Sequence, residues 1–89
     1  MPASALTTAD LLAQSLVSED DLTTAVNAYL TDPSTTQQFL LGGAYTLNLI
    51  AAVRMHKYAG RTLNDPDANN SLKRAAVREA ILLASPEKR

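Results

Sequence analysis

Three stretches of this chain repeat apolar residues at helical spacing, and a fourth is apolar around its whole circumference. Leu22, Ala25, Val26, Tyr29 and Leu30 recur at i, i+3, i+4, i+7 and i+8, which is one buried helix face. Ser18 stands at its start with Asp21 three residues on, a capping box with Asp in place of Glu or Gln. Glu19, Asp20 and Asp21 lie where the positive end of the helix dipole favours acids. The spacing predicts a helix over 19–31. Before it, Thr7 or Thr8 caps a short helix over 9–17 that carries Leu11, Leu12 and Leu16. Near the other end, Asn64-Asp65-Pro66-Asp67 is a turn in which Asp65 can cap and Pro66 can occupy a first helical position. A last helix over 66–84 follows, with the Asn69-Asn70 pair able to delay its start. It presents Leu72, Ala76, Ala80 and Leu83 on one face and Val77 and Ile81 on a second strip, and Ser85-Pro86 ends it. Glu87-Lys88-Arg89 is a solvated tail.

The middle of the chain is the segment apolar all round. Asp32-Pro33-Ser34 breaks the preceding helix, and a long third helix over 35–59 is expected, with Gly60 as its left-handed cap. Phe39, Leu40, Leu41, Tyr45, Leu47, Leu49, Ile50, Val53 and Met55 scatter around its circumference, so other helices or another subunit should surround it. Gly42 and Gly43 each cost such a helix on the order of 1 kcal/mol relative to alanine. A close helix crossing or a kink would account for the pair. The continuous apolar part, about 15 residues, falls short of the roughly 20 that cross a bilayer and contains Thr46 and Asn48, which argues against a membrane span. No alternation of β-branched residues argues for a sheet, and no repeat is evident. The expected fold is therefore all-α, one domain over 1–89, a compact bundle of four helices around a long third.

Composition narrows the function classes. The chain has 89 residues, no cysteine and one histidine, which leaves no disulfide framework, no thiolate metal site and no multi-histidine site. Small chains without such staples often gain stability by associating. No basic residue precedes an apolar stretch at the amino terminus, so it does not resemble a secretory signal, and a cytoplasmic location is the expectation. Charge changes the picture more. No lysine or arginine occurs before Arg54, while Asp10, Glu19, Asp20, Asp21 and Asp32 precede it, a charge of −5. All eight bases lie from Arg54 onward against the four acids Asp65, Asp67, Glu79 and Glu87, a charge of +4. The net charge of −1 conceals this polarity.

The candidate chemistry is sparse. Asp65, Asp67, Asn69 and Ser71 fit the first four liganding positions of a calcium loop, but Asn70 replaces its glycine and Ala76 its closing glutamate. Gly42-Gly43 lacks the context of a phosphate loop. His56 has no nucleophile or carboxylate that spacing brings to it, so no catalytic role and no cofactor is expected. A helix-turn-helix built on the first two helices would lead into DNA with Glu19, Asp20 and Asp21, which repel phosphate. Arg54, Lys57, Arg61, Lys73, Arg74 and Arg78 form a better nucleic-acid candidate, though Tyr58 alone offers stacking.

Ala59-Gly60-Arg61-Thr62-Leu63, leading into Leu72-Lys73-Arg74-Ala75-Ala76-Val77, together with the opening Leu6-Thr7-Thr8-Ala9-Asp10-Leu11, resembles a pattern in small helical head-to-tail connector proteins of tailed bacteriophages. That resemblance covers about a third of the chain, and helices two and three are longer here than the pattern has them. It implies a ring-forming assembly subunit of a virion, with no catalytic residues. The polarity and the all-round apolar segment point to the same class: a non-catalytic interaction or assembly protein, self-associating or docking on another protein. In it the acidic Glu19, Asp20 and Asp21 of one copy would meet Arg74 and Arg78 of the next.

Overall fold

Helix α1 (Thr8–Ala13) opens where the sequence places a cap. In the computed structural model, which describes residues 6–32, 34 and 36–88, the Thr7 hydroxyl accepts from the Asp10 N–H at 3.2 Å. The Asp10 carboxylate in turn accepts from the Thr7 N–H at 2.9 Å, completing a capping box. The expected break at Pro33, the start at Thr35, the tail's last residue Arg89 and the amino-terminal residues 1–5 lie outside the described residues.

Helix α1 stops short of residue 17 because its carboxyl end folds into a Schellman turn. Ser15 adopts a left-handed φ of 63°. Its N–H donates to the Leu12 carbonyl at 3.1 Å, and the Leu16 N–H donates to Leu11 at 2.9 Å. The reversal turns Val17 into the core. Helix α2 (Glu19–Thr31) then follows the sequence expectation closely. The Ser18 hydroxyl accepts from the Asp21 N–H at 3.0 Å, and the Asp21 carboxylate accepts from the Ser18 N–H at 2.9 Å. Leu22, Ala25 and Val26 are buried, with Tyr29 and Leu30 packed at the margin.

The long third helix does not form, and the fold is not an all-α bundle of four helices. Residues 39–64 instead give strands β1 (Phe39–Leu41) and β2 (Tyr45–Leu47) and two short helices, α3 (Leu49–Met55) and α4 (Lys57–Asn64). Gly42 and Gly43 both have positive φ, 64° and 78°. Glycine reaches that region without the steric cost that other residues meet, and it ends any helix running through it. The two glycines are thus a hairpin turn with Ala44, not a close helix crossing. Phe39 faces Leu47 and Leu41 faces Tyr45 across the ladder. Leu41 and Leu47 are buried while Leu40 is 47% exposed, the alternation of a half-buried sheet. The Leu49 N–H donates to the Thr36 carbonyl at 3.0 Å and closes the base of the hairpin.

A second break falls at His56, which is at once the C-cap of α3 and the N-cap of α4, with an extended backbone. Gly60 lies inside α4 and caps nothing. Helix α5 (Asn70–Leu83) begins after Asn69, whose side-chain oxygen accepts from the Leu72 N–H at 2.8 Å. The asparagine pair does delay the start, and Asp65 and Pro66 stay in the turn. Ala76, Val77, Ala80 and Ile81 are buried, whereas Leu72 and Leu83, expected on the core face, are exposed. Strand β3 (Glu87–Lys88) then pairs antiparallel with β2, so residues read as a tail complete a three-stranded sheet ordered β1-β2-β3.

Helix α5 lies at the centre and packs against α1, α2, α3 and α4. Its small residues Ala76 and Ala80 let neighbouring elements approach closely. At its end the Ala84 carbonyl accepts from both the N–H and the hydroxyl of Thr8, at 2.8 and 3.2 Å.

The glycines separate this architecture from the helical expectation by the sign of a stability change. A Cβ on Gly42 would lie 2.4 Å from the Leu16 carbonyl oxygen. Gly42→Ala should therefore destabilise by about 2–3 kcal/mol, combining left-handed strain with a backbone clash. Gly43→Ala meets no atom within 4 Å and should cost about 1 kcal/mol from φ alone. Gly60→Ala, in an open helical position, should stabilise by about 0.5–1 kcal/mol. Urea unfolding of the three variants checks the order; stabilisation by Ala at 42 and 43 would restore the helix.

Candidate interaction surface

The residues singled out by charge divide into two groups in the folded chain. In the first, α2 and α5 pack together and bring opposite charges into contact. Arg78 holds Glu19 through two bonds, Nη1 to Oε1 at 3.0 Å and Nη2 to Oε2 at 3.3 Å. Arg74 donates to the Asn27 side-chain oxygen. Both arginines expected to reach a neighbouring copy are thus engaged within their own chain. The Arg78 guanidinium lowers the Glu19 carboxyl below the ordinary glutamate value, mainly through these hydrogen bonds. Lys73 is half-buried beside Arg74, in a hollow of about 620 Å³ bounded by Tyr29, Leu30 and Leu63.

The second group remains outward. Arg54, Lys57 and Arg61 are exposed along the end of α3 and the outer face of α4, and none bonds to a described residue. No acid occurs between Arg54 and Asn64. Met55 and Tyr58, 85% and 52% exposed, lie among these cations. His56 fixes the elbow between the two helices: its Nδ1 accepts from the Ala59 N–H at 3.1 Å, and its ring meets Tyr58 edge-on at 6.2 Å. A ring nitrogen that accepts carries no proton, so the neutral tautomer places N–H on Nε2. Arg54 also lies close enough to Tyr29 to act on its phenol, which burial pushes above the ordinary tyrosine value and Arg54 partly restores.

Next to the elbow a groove of about 780 Å³ runs between α3, the end of α5 and the sheet. Leu47, Ala52 and Ala80 form its buried floor, while Met55 and Leu83 stand at its walls. Leu83, expected on the core face, instead lines this groove. Its signal in the sequence is the double break, Gly42-Gly43 and Asn48, that separates hairpin from helix.

Other candidates have local explanations. Asp65 Oδ1 accepts from the Asp67 N–H at 2.9 Å in an Asx turn, and Asn69 caps α5, so two of the four calcium-loop residues are engaged with backbone. Among the described residues no three metal-ligating side chains converge. No helix among them is long and apolar enough to cross a membrane. The segments behind the connector resemblance fall at the entry to α1 and inside α4 and α5, with the hairpin and α3 where a long helix should precede. Neither a family model nor a curated protein nor a solved structure matches the chain.

Two local interactions are open to direct test. A carboxyl lowered in the folded state stabilises fully above its unfolded value, and the effect fades as pH falls through the lowered one. The melting temperature of Glu19→Gln should thus lie below that of the parent at neutral pH and low salt, and meet it well below the carboxylate range. The gap should also shrink in high salt, because the pair is exposed. Separately, His56→Ala should cost about 0.5–2 kcal/mol, the usual value of an N-cap. His56→Asn, which keeps an acceptor, should retain most of it; equal losses in chemical denaturation would show that the imidazole acts by packing.

Proposed function

We propose that this chain is a non-catalytic interaction or assembly subunit that associates with further copies of itself. The observation that carries this reading is the groove: Met55 at 85% and Leu83 at 57% exposure flank an apolar floor of Leu47, Ala52 and Ala80. Large exposed apolar side chains around a concave apolar surface, rimmed by polar groups, are the usual mark of a protein contact. A non-catalytic role is supported by His56, whose Nδ1 is held as a helix cap and not beside a nucleophile. Small size adds weight, since a chain of 89 residues buries a modest core and gains from covering more. The connector resemblance points the same way, because a ring-forming subunit needs contacts between copies.

Light scattering across a concentration series tests the proposal. The average mass should rise above the 9.5 kDa of one chain as concentration increases. Met55→Ser and Leu83→Ser should each reduce association while changing unfolding free energy by no more than about 0.5 kcal/mol, as exposed positions do. A strict monomer at high concentration and low salt overturns it.

A further inference from the structure

Which charges remain to meet another molecule is decided by those already engaged. Arg78 is bound to Glu19 and Arg74 to Asn27, so the basic side of α5 is largely satisfied within the chain. Apart from Lys88 on β3, the outward bases among the described residues gather at the elbow of Arg54, Lys57 and Arg61, three exposed cations with no acid between them. Asp65, Asp67, Glu79 and Glu87 are exposed singly or in turns elsewhere, and an outward acidic surface lies at the first turn of α2. There Asp20 is exposed, and Asp21, whose carboxylate accepts from the Ser18 N–H, is half-buried.

These two surfaces sit at opposite ends of one helix. Leu63 of α4 lines one hollow with Tyr29, Leu30 and Thr31 near the end of α2, whereas Asp20 is in its first turn. Nine residues separate Asp20 from Tyr29, or about 13 Å along the axis at the helical rise of roughly 1.5 Å per residue. A chain with unlike charges at the two ends of a rigid element cannot pair them internally, but a second copy laid end to end can. The sheet offers no comparable contact at β3. Residues directly opposite in an antiparallel pair share a face, so two copies of β3 related by a two-fold axis through either residue would set Glu87 against Glu87, or Lys88 against Lys88. Such like pairs discourage edge-to-edge association.

We infer that the elbow of Arg54, Lys57 and Arg61 docks on the acidic first turn of α2, around Asp20, in a second copy of this chain, with Met55 at the centre of the contact. The inference rests on the self-association proposed above and names its surface. Met55 supplies apolar area that water leaves on contact, and the surrounding charges set orientation and register. Because the two faces differ, the contact is heterologous: it closes into a ring if the rotation permits and continues as a filament if it does not. Tyr58 sits among the same cations, so single-stranded nucleic acid is the competing occupant that the test must separate.

Sedimentation velocity at low salt is run on the parent, on the reversal Arg54→Glu/Lys57→Glu/Arg61→Glu, on Asp20→Lys, and on Asp20→Lys combined with Lys57→Asp/Arg61→Asp. Circular dichroism checks that each variant is folded, and fluorescence anisotropy follows binding of a labelled single-stranded oligonucleotide. Each single-face reversal should raise the concentration for half-association by at least about tenfold, since like charges then oppose across the contact. The combined variant should recover most of the loss. Association unchanged by the elbow reversal overturns this surface and leaves self-association standing; a parent monomeric at every concentration overturns both. Oligonucleotide binding that the elbow reversal abolishes while association persists assigns the elbow to nucleic acid and also overturns the inference.

Discussion

Burial against α5 is the constraint on which the rest of this structure depends. A chain of 89 residues buries a modest core, and here four other helices share one central partner. That partner has to be narrow where they meet it. Ala76 and Ala80 make it so, and Val77 and Ile81 fill the space between with side chains that are fully buried. The exposure of Leu72 and Leu83 follows from the same geometry, since they lie at the two ends of α5, beyond the neighbours that cover its middle.

The helices were legible where local chemistry and apolar spacing agreed. Ser18 with Asp21 marks the start of α2, and Leu22, Ala25 and Val26 mark its buried face. Thr7 marks the start of α1, whereas α5 starts behind Asn69 and not at Pro66, where Asp65 is the expected cap. The middle segment was misread because leucine and alanine favour helix while giving no information on period when every position is apolar. Gly42-Gly43 carried the opposite message, since consecutive glycines between Phe39-Leu40-Leu41 and Tyr45-Thr46-Leu47 are a hairpin signal. Their positive φ reverses the chain where a helix would carry them only as a tolerated cost. Strand β3 was less accessible. Glu87 and Lys88 have no strand propensity, and only the hairpin, once formed, gives them an edge to join.

The candidate surface was legible in part. Charge along the sequence separated acids from bases correctly, but linear order does not reveal which of them fold together. The antiparallel packing of α2 on α5 sets Glu19 beside Arg78 and removes both from the outward charge. What remains outward at Arg54, Lys57 and Arg61 depends on the elbow at His56. An unbroken helix through that position would have distributed the same three cations by helical spacing alone.

The clasp between Thr8 and Ala84 joins positions 76 residues apart. Closing so wide a loop costs only about 0.6 kcal/mol more than closing one of half the length, so its separation in sequence is a small burden at equilibrium. In time it matters more, because a contact this distant becomes favourable only once the intervening chain has collapsed. The amino-terminal helix is therefore tied to the far end of α5 by a contact that gains its value only after collapse.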